Sequence, residues 1–597
     1  MGRSNSTSGR WLRLAVVAGV GALALTPTQL AMGAGRGGTS STFSFPAGAT
    51  NTVVSTPTKG GGYAENPPVE GGCGGPNPNN PVAQEFPNNF NANHSESELA
   101  VEPGMEQIVG SSKFFFDKFS TGYNFYLGSY NISGANPSAA TNNIIQGYDC
   151  TTVGTQAMPP SWTNTTDPNV AFDSQGRVYQ TMLPFNAFWT NLHPDGEITV
   201  SYSDDMGAHW VTGNGGQALE QVPLATSKQL GHVEDKQWVA VNHYPGNRFQ
   251  DHVYATWDVI DGNVGSTVKL REATSRDRGK TFSPATTIVS ASTDQLRDQY
   301  SQPAVDPNGD LYVAFTNIGT KSSTGDLFVT RSTDDGQTFS TPVLAGTSHL
   351  MGTPRLPNTT FRDGINFAFA VSPDFPGHLY LAYNDFNGTQ YNVYLVQSTD
   401  GGQTWSKAKA VNDDIGSGRV ADHFQPAVAA GPGGAVAVAF YDRRAACPND
   451  PSILRGTLPD GTVYTDMGKT NFCINVGVQP FKDVGTMAGA VAVGANIRAS
   501  TFAWDPQQPG LAVTSSGTTD LQTLGGLGQM ACASHNDPCR TSFIGDYFGL
   551  AISGGNIYTL SVSTHYSSGV TSDQGTPLYY QQQVLGTISR SSIASGF

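Results

Sequence analysis

Charged side chains are scarce in this 597-residue chain, at 13%, and they gather at recurring places. Seven short apolar runs each carry an alanine followed by a larger apolar residue. Just ahead of them stand Glu96 and Glu98, Asp167, Glu234 and Asp235, Arg297 and Asp298, Arg362 and Asp363, Arg419 with Asp422 and His423, and Arg540 with Asp546 and Tyr547. After the strand-like runs that follow come Asp258, Asn384 with Asp385, Tyr441 to Arg444, and His565 with Tyr566. A guanidinium grips a carboxylate or sulfate in a two-pronged way. Carboxylates suit sugar hydroxyls or general acid/base work. The same residues also have a plainer use, since an Asp before a strand caps a turn and a neighbouring Arg pairs with it. Both readings stand open at this point.

The elements that must position these residues are legible as repeats. The alanines are Ala100, Ala171, Ala240, Ala304, Ala370, Ala427 and Ala551, and the first six lie 57 to 71 residues apart. In most units a turn follows and then a second strand, as in Arg177-Val178-Tyr179 and Asp310-Leu311-Tyr312. That spacing holds four strands with generous loops, the content of one propeller blade. Small residues suit a crowded propeller axis. The pattern predicts an all-β propeller with seven blades, or six if the first or last unit is an accessory sheet.

A second repeat runs S-x-D-x-G-x-T-W/F. Its copies are Ser203 to Trp210, which is irregular, Ser275 to Phe282, Ser332 to Phe339, and Ser398 to Trp405. Ser and Asp side chains hold a tight turn through nearby backbone groups. Gly supplies the positive φ, and the aromatic points back into the apolar layer. The repeat resembles the Asp-box, or BNR repeat, of the sialidase superfamily. In that superfamily the box lies in the hairpin between the two outer strands of a blade, on the face opposite the ligand. The resemblance implies a propeller over residues 95 to 587. It gives Asp205, Asp277, Asp334, Asp400, Trp210, Phe282, Phe339 and Trp405 a structural role, and it points to the opposite rim for chemistry.

The resemblance further implies a sialidase-like glycoside hydrolase acting on terminal anionic sugars. Such an enzyme holds the substrate carboxylate with three arginines, for which Arg297, Arg362 and Arg540 are the candidates by position, with Arg443 and Asp235 as further binding residues. Its nucleophile is a tyrosine assisted by a glutamate; Tyr441 or Tyr547 fits the first role and Glu234 the second. Asp258 or Asp235 would protonate the leaving group. The chain departs from the family in lacking an F/Y-R-I-P motif near Glu98; the nearest string is Arg355-Leu356-Pro357, mid-chain. The alternative is a non-catalytic propeller that binds glycan or protein on the same face. A third possibility is a different carbohydrate-active enzyme such as a polysaccharide lyase.

Composition bounds the rest. The net charge of −15 argues against nucleic-acid or anionic-membrane partners, which need basic patches. Arg3, Arg10 and Arg13 ahead of the apolar run Leu14 to Leu25, with small residues at Ala31, Gly33 and Ala34, read as a signal peptide over 1–34. A secreted monomer with a glycan or glycoprotein ligand is the expectation. Residues 35–94 are rich in Gly, Pro and Asn and read as a largely disordered leader, and 588–597 as a tail. Six cysteines fit an oxidising destination. The most local pairing joins Cys532 to Cys539, Cys447 to Cys473 and Cys73 to Cys150, one of 15 possibilities. No cofactor or metal is expected. The stretch Asp306 to Asp310 resembles a calcium loop but lacks the later Glu and reads as a hairpin.

Overall fold

The computed structural model describes residues 43–55, 93–115, 125–144, 164–185, 197–221, 232–261, 267–289, 298–318, 323–351, 356–357, 359, 361, 366–457, 461, 463–506, 512–513, 519–520, 544–567, 579, 581–593 and 597. The expected arginines Arg297, Arg362 and Arg540, and the cysteines Cys73, Cys150, Cys532 and Cys539, lie outside them.

Seven antiparallel sheets of four or five strands form among the described residues, one for each alanine unit, beside two short two-stranded pairs. Their inner strands are Asn93–Val101, Asn164–Phe172, His232–Val241, Asp298–Val305, Phe367–Val371, His423–Gly431 and Gly549–Ile552, numbered here as blades 1 to 7. Each inner strand packs on the next, and the seventh packs on the first, so the ring closes. This is a seven-bladed propeller, and every regular element among the described residues longer than a single 3-10 turn is a strand. No helix of the described residues is long and apolar enough to cross a membrane.

Apolar alternation within the strands puts one hydrophobic cluster between each pair of neighbouring blades. Leu99, Ile108, Tyr558 and Leu585 join blades 1 and 7, Val109, Val170 and Trp210 join blades 1 and 2, and Leu311, Val313 and Tyr254 join blades 3 and 4. Burying such side chains stabilises the fold by about 1.5–3 kcal/mol each. The ring therefore depends on every blade-to-blade contact.

Two sequence expectations change. The leader is not wholly outside the fold: Thr50–Val53 pairs antiparallel with Gln582–Ser589 and completes blade 7 as its outer strand. Asn51 ties it to blade 6 through a hydrogen bond to the Ala499 carbonyl at 2.8 Å. The sixth repeat unit is also shifted. Its strand irregularity falls between Phe424 and Ala427, whereas that of blade 1 falls between Ser95 and Glu98. Counting from that bulge, the residue equivalent to Ala100 is Ala429, not Ala427. The insertion in blade 6 is closed by the Cys447–Cys473 disulfide, as expected.

The four S-x-D-x-G turns share one hydrogen-bond pattern and connect the third strand to the outer edge in blades 2 to 5. In blade 4, Ser332 Oγ donates to Asp334 at 2.8 Å, and Asp334 accepts from the backbone and hydroxyl of Thr338 at 2.9 and 2.6 Å. Gly336, at φ 77°, donates its N–H to Ser332 Oγ. Asp277 and Asp400 are bound in the same way by Ser275 and Thr281, and by Ser398 and Thr404. In the irregular first copy His209 replaces Thr and its ring meets Asp205 at 2.6 Å. Trp210 is buried, with its indole N–H on Ser129 Oγ and the Gly207 carbonyl. Asp306 accepts from the N–H groups of Asn308 and Asp310, so that stretch is the expected hairpin.

Candidate functional site

Buried charged side chains gather at the other end of the inner strands. In blades 1, 2, 3, 4 and 6 the inner strand breaks register once, near its start. At each break one residue takes a left-handed backbone: Glu96 at φ 50°, Asp167 at 59°, Lys236 at 49°, Tyr300 at 62° and Gln425 at 46°. None is glycine. A side chain in that region costs about 1–3 kcal/mol and persists only where its surroundings over-determine it. A bulge re-aims a side chain out of the regular alternation of a strand. Here the effect is to bring groups from several blades together.

Four blades meet in one ionic cluster. Lys236 Nζ reaches Asp167 at 2.7 Å and Asp546 at 2.6 Å. Lys113, from the second strand of blade 1, reaches Glu96 at 2.7 Å and donates to Thr166 Oγ1 at 3.0 Å. Thr166 in turn donates to Asp167 at 2.6 Å. Gln425 closes the ring by donating to the Gly545 carbonyl at 2.7 Å. Gly545, at φ 102°, lies so close to the Glu96 backbone that a Cβ there would collide with it. Tyr547 donates to the Pro168 carbonyl at 2.8 Å and packs edge-on against Trp238. Glu96, Asp167, Lys236 and Asp546 are all buried.

Burial and neighbours push these carboxyl groups apart. Burial raises Glu96, the negative charge of Asp167 raises it further, and its pKa reaches about 8. Burial would raise Asp167 too, but Lys236 and Lys113 outweigh it and hold the group well below the usual carboxylate range. Lys236 is desolvated, yet Asp167 and Asp546 keep it firmly charged. Glu98 is pushed up to about 8 by burial. The surroundings thus push Glu96 toward its neutral form and hold Asp167 toward its ionised form.

Of the residues singled out in the sequence, Asp258 and Asp235 lie near this cluster. They face each other across the first two strands of blade 3, and the Lys236 N–H donates to Asp235 at 2.9 Å. Asp258 accepts the Tyr300 N–H at 2.9 Å, and burial raises its pKa well above the usual carboxylate range. Glu234 is buried on the same inner strand. Tyr441 is placed elsewhere. It is fully buried among Phe424, Trp504 and Phe548, with its hydroxyl toward the Val562 backbone, which is a packing environment. Arg443 is buried too, donating to the carbonyls of Pro357 and Phe472 beside Asp422 at 3.6 Å. Its guanidinium anchors the blade 6 insertion and offers no open fork to a substrate. Nothing in the sequence singles out Lys113 and Lys236. Lysines inside strands usually lie on a solvated face, and no spacing signal marks these two as axial.

No family model matches the chain, and no curated protein matches it. Solved structures are similar to the chain at low identity. A protein of unknown function from Dyadobacter fermentans matches at 14% identity over 59% of this chain and 91% of its own, with a TM-score of 0.40. The Hadza microbial sialidase Hz136 matches at 13% over 80% and 75%, with a TM-score of 0.36. The α-L-arabinofuranosidase Arb93A from Fusarium graminearum matches at 12% over 74% and 96%, with a TM-score of 0.34.

Proposed function

We propose that the chain is a secreted glycoside hydrolase that works at the axial end of the propeller on a terminal anionic sugar. One observation carries the reading: two carboxyl groups of one cluster, Glu96 and Asp167, have environments that drive their protonation in opposite directions. Such a divided pair is what acid and base assignments require. Glu96, neutral at pH 7, would protonate the glycosidic oxygen. Asp167, kept ionised by Lys236 and Lys113, would meet the positive charge that develops on the sugar. Asp258, whose carboxyl burial also pushes well above the usual range, is the second candidate donor. Arg297, Arg362 and Arg540 precede the inner strands of blades 4, 5 and 7, and on this reading they grip the sugar carboxylate. The Cys447–Cys473 disulfide fits an oxidising compartment. The Ser-Asp-Gly turns are then Asp-boxes in the structural sense.

A second reading rests on the closure of the cluster. Glu96, Asp167, Lys236 and Asp546 are buried and paired. On that reading the cluster is a polar plug and the propeller binds a glycan or glycoprotein without cleaving it. Fluorophore release from a panel of aryl glycosides, sialosides included, separates the two. Hydrolysis that is lost in Glu96→Gln and Arg362→Ala supports the first. Absence of release above background across the panel leaves the second.

A further inference from the structure

An Asn followed by Gly can react with its own backbone, because no side chain on the next residue hinders the approach of its nitrogen. The sequence holds three such pairs: Asn214-Gly215, Asn308-Gly309 and Asn387-Gly388. The fold treats them differently. Asn214 uses both ends of its amide. Its Nδ2 donates to the carbonyls of Gln217 and Ala218 at 3.3 and 3.2 Å, and its Oδ1 accepts the Phe282 N–H at 3.1 Å. In the second pair the glycine N–H is tied, donating to the Asp306 carbonyl at 2.8 Å. Gly309 is also buried, with the Asn247 side chain so near that a Cβ would collide with it.

Asn387-Gly388 is different. It lies in the turn between the second and third strands of blade 5, Leu379–Phe386 and Tyr391–Ser398. Asn387, Gly388 and Thr389 are all exposed. The second strand runs antiparallel to the inner one, so this turn stands at the end of the propeller where the inner strands begin. The N–H groups of Thr389 and Gln390 donate to Asn387 Oδ1 at 2.9 and 3.0 Å. Those bonds hold the carboxamide over the backbone that follows it. Among the described residues nothing accepts from Asn387 Nδ2 or from the Gly388 N–H. The space beside Gly388 is open, with nothing within 4 Å of where a Cβ would stand. The attacking and the leaving nitrogen are thus both untied. Two donors already sit on the oxygen that takes negative charge between them, and donors preset on a developing oxyanion lower the barrier of such a step.

We infer that Asn387 is a self-modification site, converting through a succinimide to aspartate and isoaspartate. The Gly388 nitrogen loses its proton to hydroxide and bonds to Asn387 Cγ. The Cγ–Nδ2 bond then breaks, and the nitrogen leaves as ammonia with a proton taken from water. A second water adds to either carbonyl of the ring and reopens it, leaving a free carboxylate. No oxidant or reductant takes part. The turn gains a negative charge, and the isoaspartate form also lengthens the backbone by a methylene. Two ties to blade 6 adjoin the turn. Gln390 Oε1 accepts the Ala421 N–H at 3.2 Å, and the Tyr391 N–H donates to Asp422 at 3.0 Å. Both lead into the inner strand that starts at His423. The modification therefore adds charge at the end that carries the buried ionic cluster, whether or not that cluster hydrolyses anything.

Peptide mapping by mass spectrometry tests this on the whole chain, aged at neutral and mildly alkaline pH, both folded and in urea. In the folded chain, conversion at 387 should outrun that at 214 and 308 by roughly tenfold or more. It should quicken as pH rises, because the glycine nitrogen attacks without its proton. In urea the three pairs should convert at similar rates, since the bonds that distinguish them are gone. Asn387→Gln, whose longer side chain would close a larger ring, should lack the early acidic species on anion exchange while its melting curve stays unchanged. The site is overturned if 214 or 308 converts as fast as 387 in the folded chain, or if the aged folded chain holds no isoaspartate at 387. An equal preference for 387 in urea would also overturn it, since the fold would then play no part.

Discussion

The two ends of this propeller treat polar groups in opposite ways. At the Ser-Asp-Gly turns the aspartate after each serine is bonded within its own turn. Each turn has a glycine at positive φ, preceded in three of them by Met206, Arg278 or Asp335 at 61°, 61° and 67°, and Asp277, Asp334 and Asp400 accept short bonds from neighbours in sequence. Those aspartates sit near solvent, and their bonds hold them below the usual carboxylate range despite some desolvation. At the axial end Glu96, Asp167 and Lys236 take left-handed backbone and bury their charge. Their partners come from other blades. Left-handed non-glycine residues occur at both ends, but local bonds of near-surface aspartates mark the first, and buried charges paired between blades mark the second.

Removing the axial ammonium is the largest break this contrast predicts. Lys236→Met leaves Asp167 and Asp546 buried without their shared cation. We expect a loss of about 3–5 kcal/mol in urea unfolding. A loss within experimental error would mean that the cluster is not the keystone of the axis.

The two ends should also answer pH in opposite directions. Glu96 is raised from 4.5 to about 8, so its contribution is full below 4.5 and is lost as pH rises through 8. His423, also buried, would be lowered by burial, but Asp442 and Asp414 raise it from 6.5 to about 9, so its contribution is full below 6.5 and is lost through 9. Asp277, Asp334 and Asp400 are lowered; their contribution is present above 3.8 and is lost as pH falls below it. Stability measured from pH 5 to 9 should therefore decline, and Glu96→Gln should flatten the part between 5 and 8. An unchanged slope would show that Glu96 does not titrate there.

Smaller effects sharpen the contrast. Asp334→Ala removes three short bonds from one turn and should cost about 1–2 kcal/mol, with hydrolysis or binding unchanged. Tyr441→Phe removes a hydroxyl from an aromatic core and should shift stability by less than about 1 kcal/mol. Any larger effect of Tyr441→Phe on turnover than on stability would return it to the list of reacting groups.

Much of this architecture is written in residue types. The alanines count the blades because only small side chains fit near the axis. The Ser-Asp-Gly turns are visible because their bonding is local and needs fixed residues at fixed spacing. Other features are hidden. The strand Thr50–Val53 sits in a Gly- and Pro-rich stretch and is held by pairing with the far end of the chain and by the tie of Asn51 to blade 6. The bulges fall on Glu, Asp, Lys, Tyr and Gln, none of which announces a positive φ, and so spacing alone aligns the sixth unit two residues early. Tyr441 follows an apolar strand and reads as a rim residue, yet the alternation that buries Ala437 and Ala439 carries it into the same core. Lys113 and Lys236 become axial only through contacts that span many residues of sequence.

The central claim is that chemistry resides at the bulged end and not at the turns. Its most direct test is fluorophore release from aryl glycosides by the unaltered chain, by Glu96→Gln and by Asp334→Ala, each shown folded by its melting curve. The account predicts release that survives Asp334→Ala and falls by roughly a hundredfold or more in Glu96→Gln, the scale of a lost general acid. Full release from Glu96→Gln, with release abolished in a folded Asp334→Ala, would contradict it.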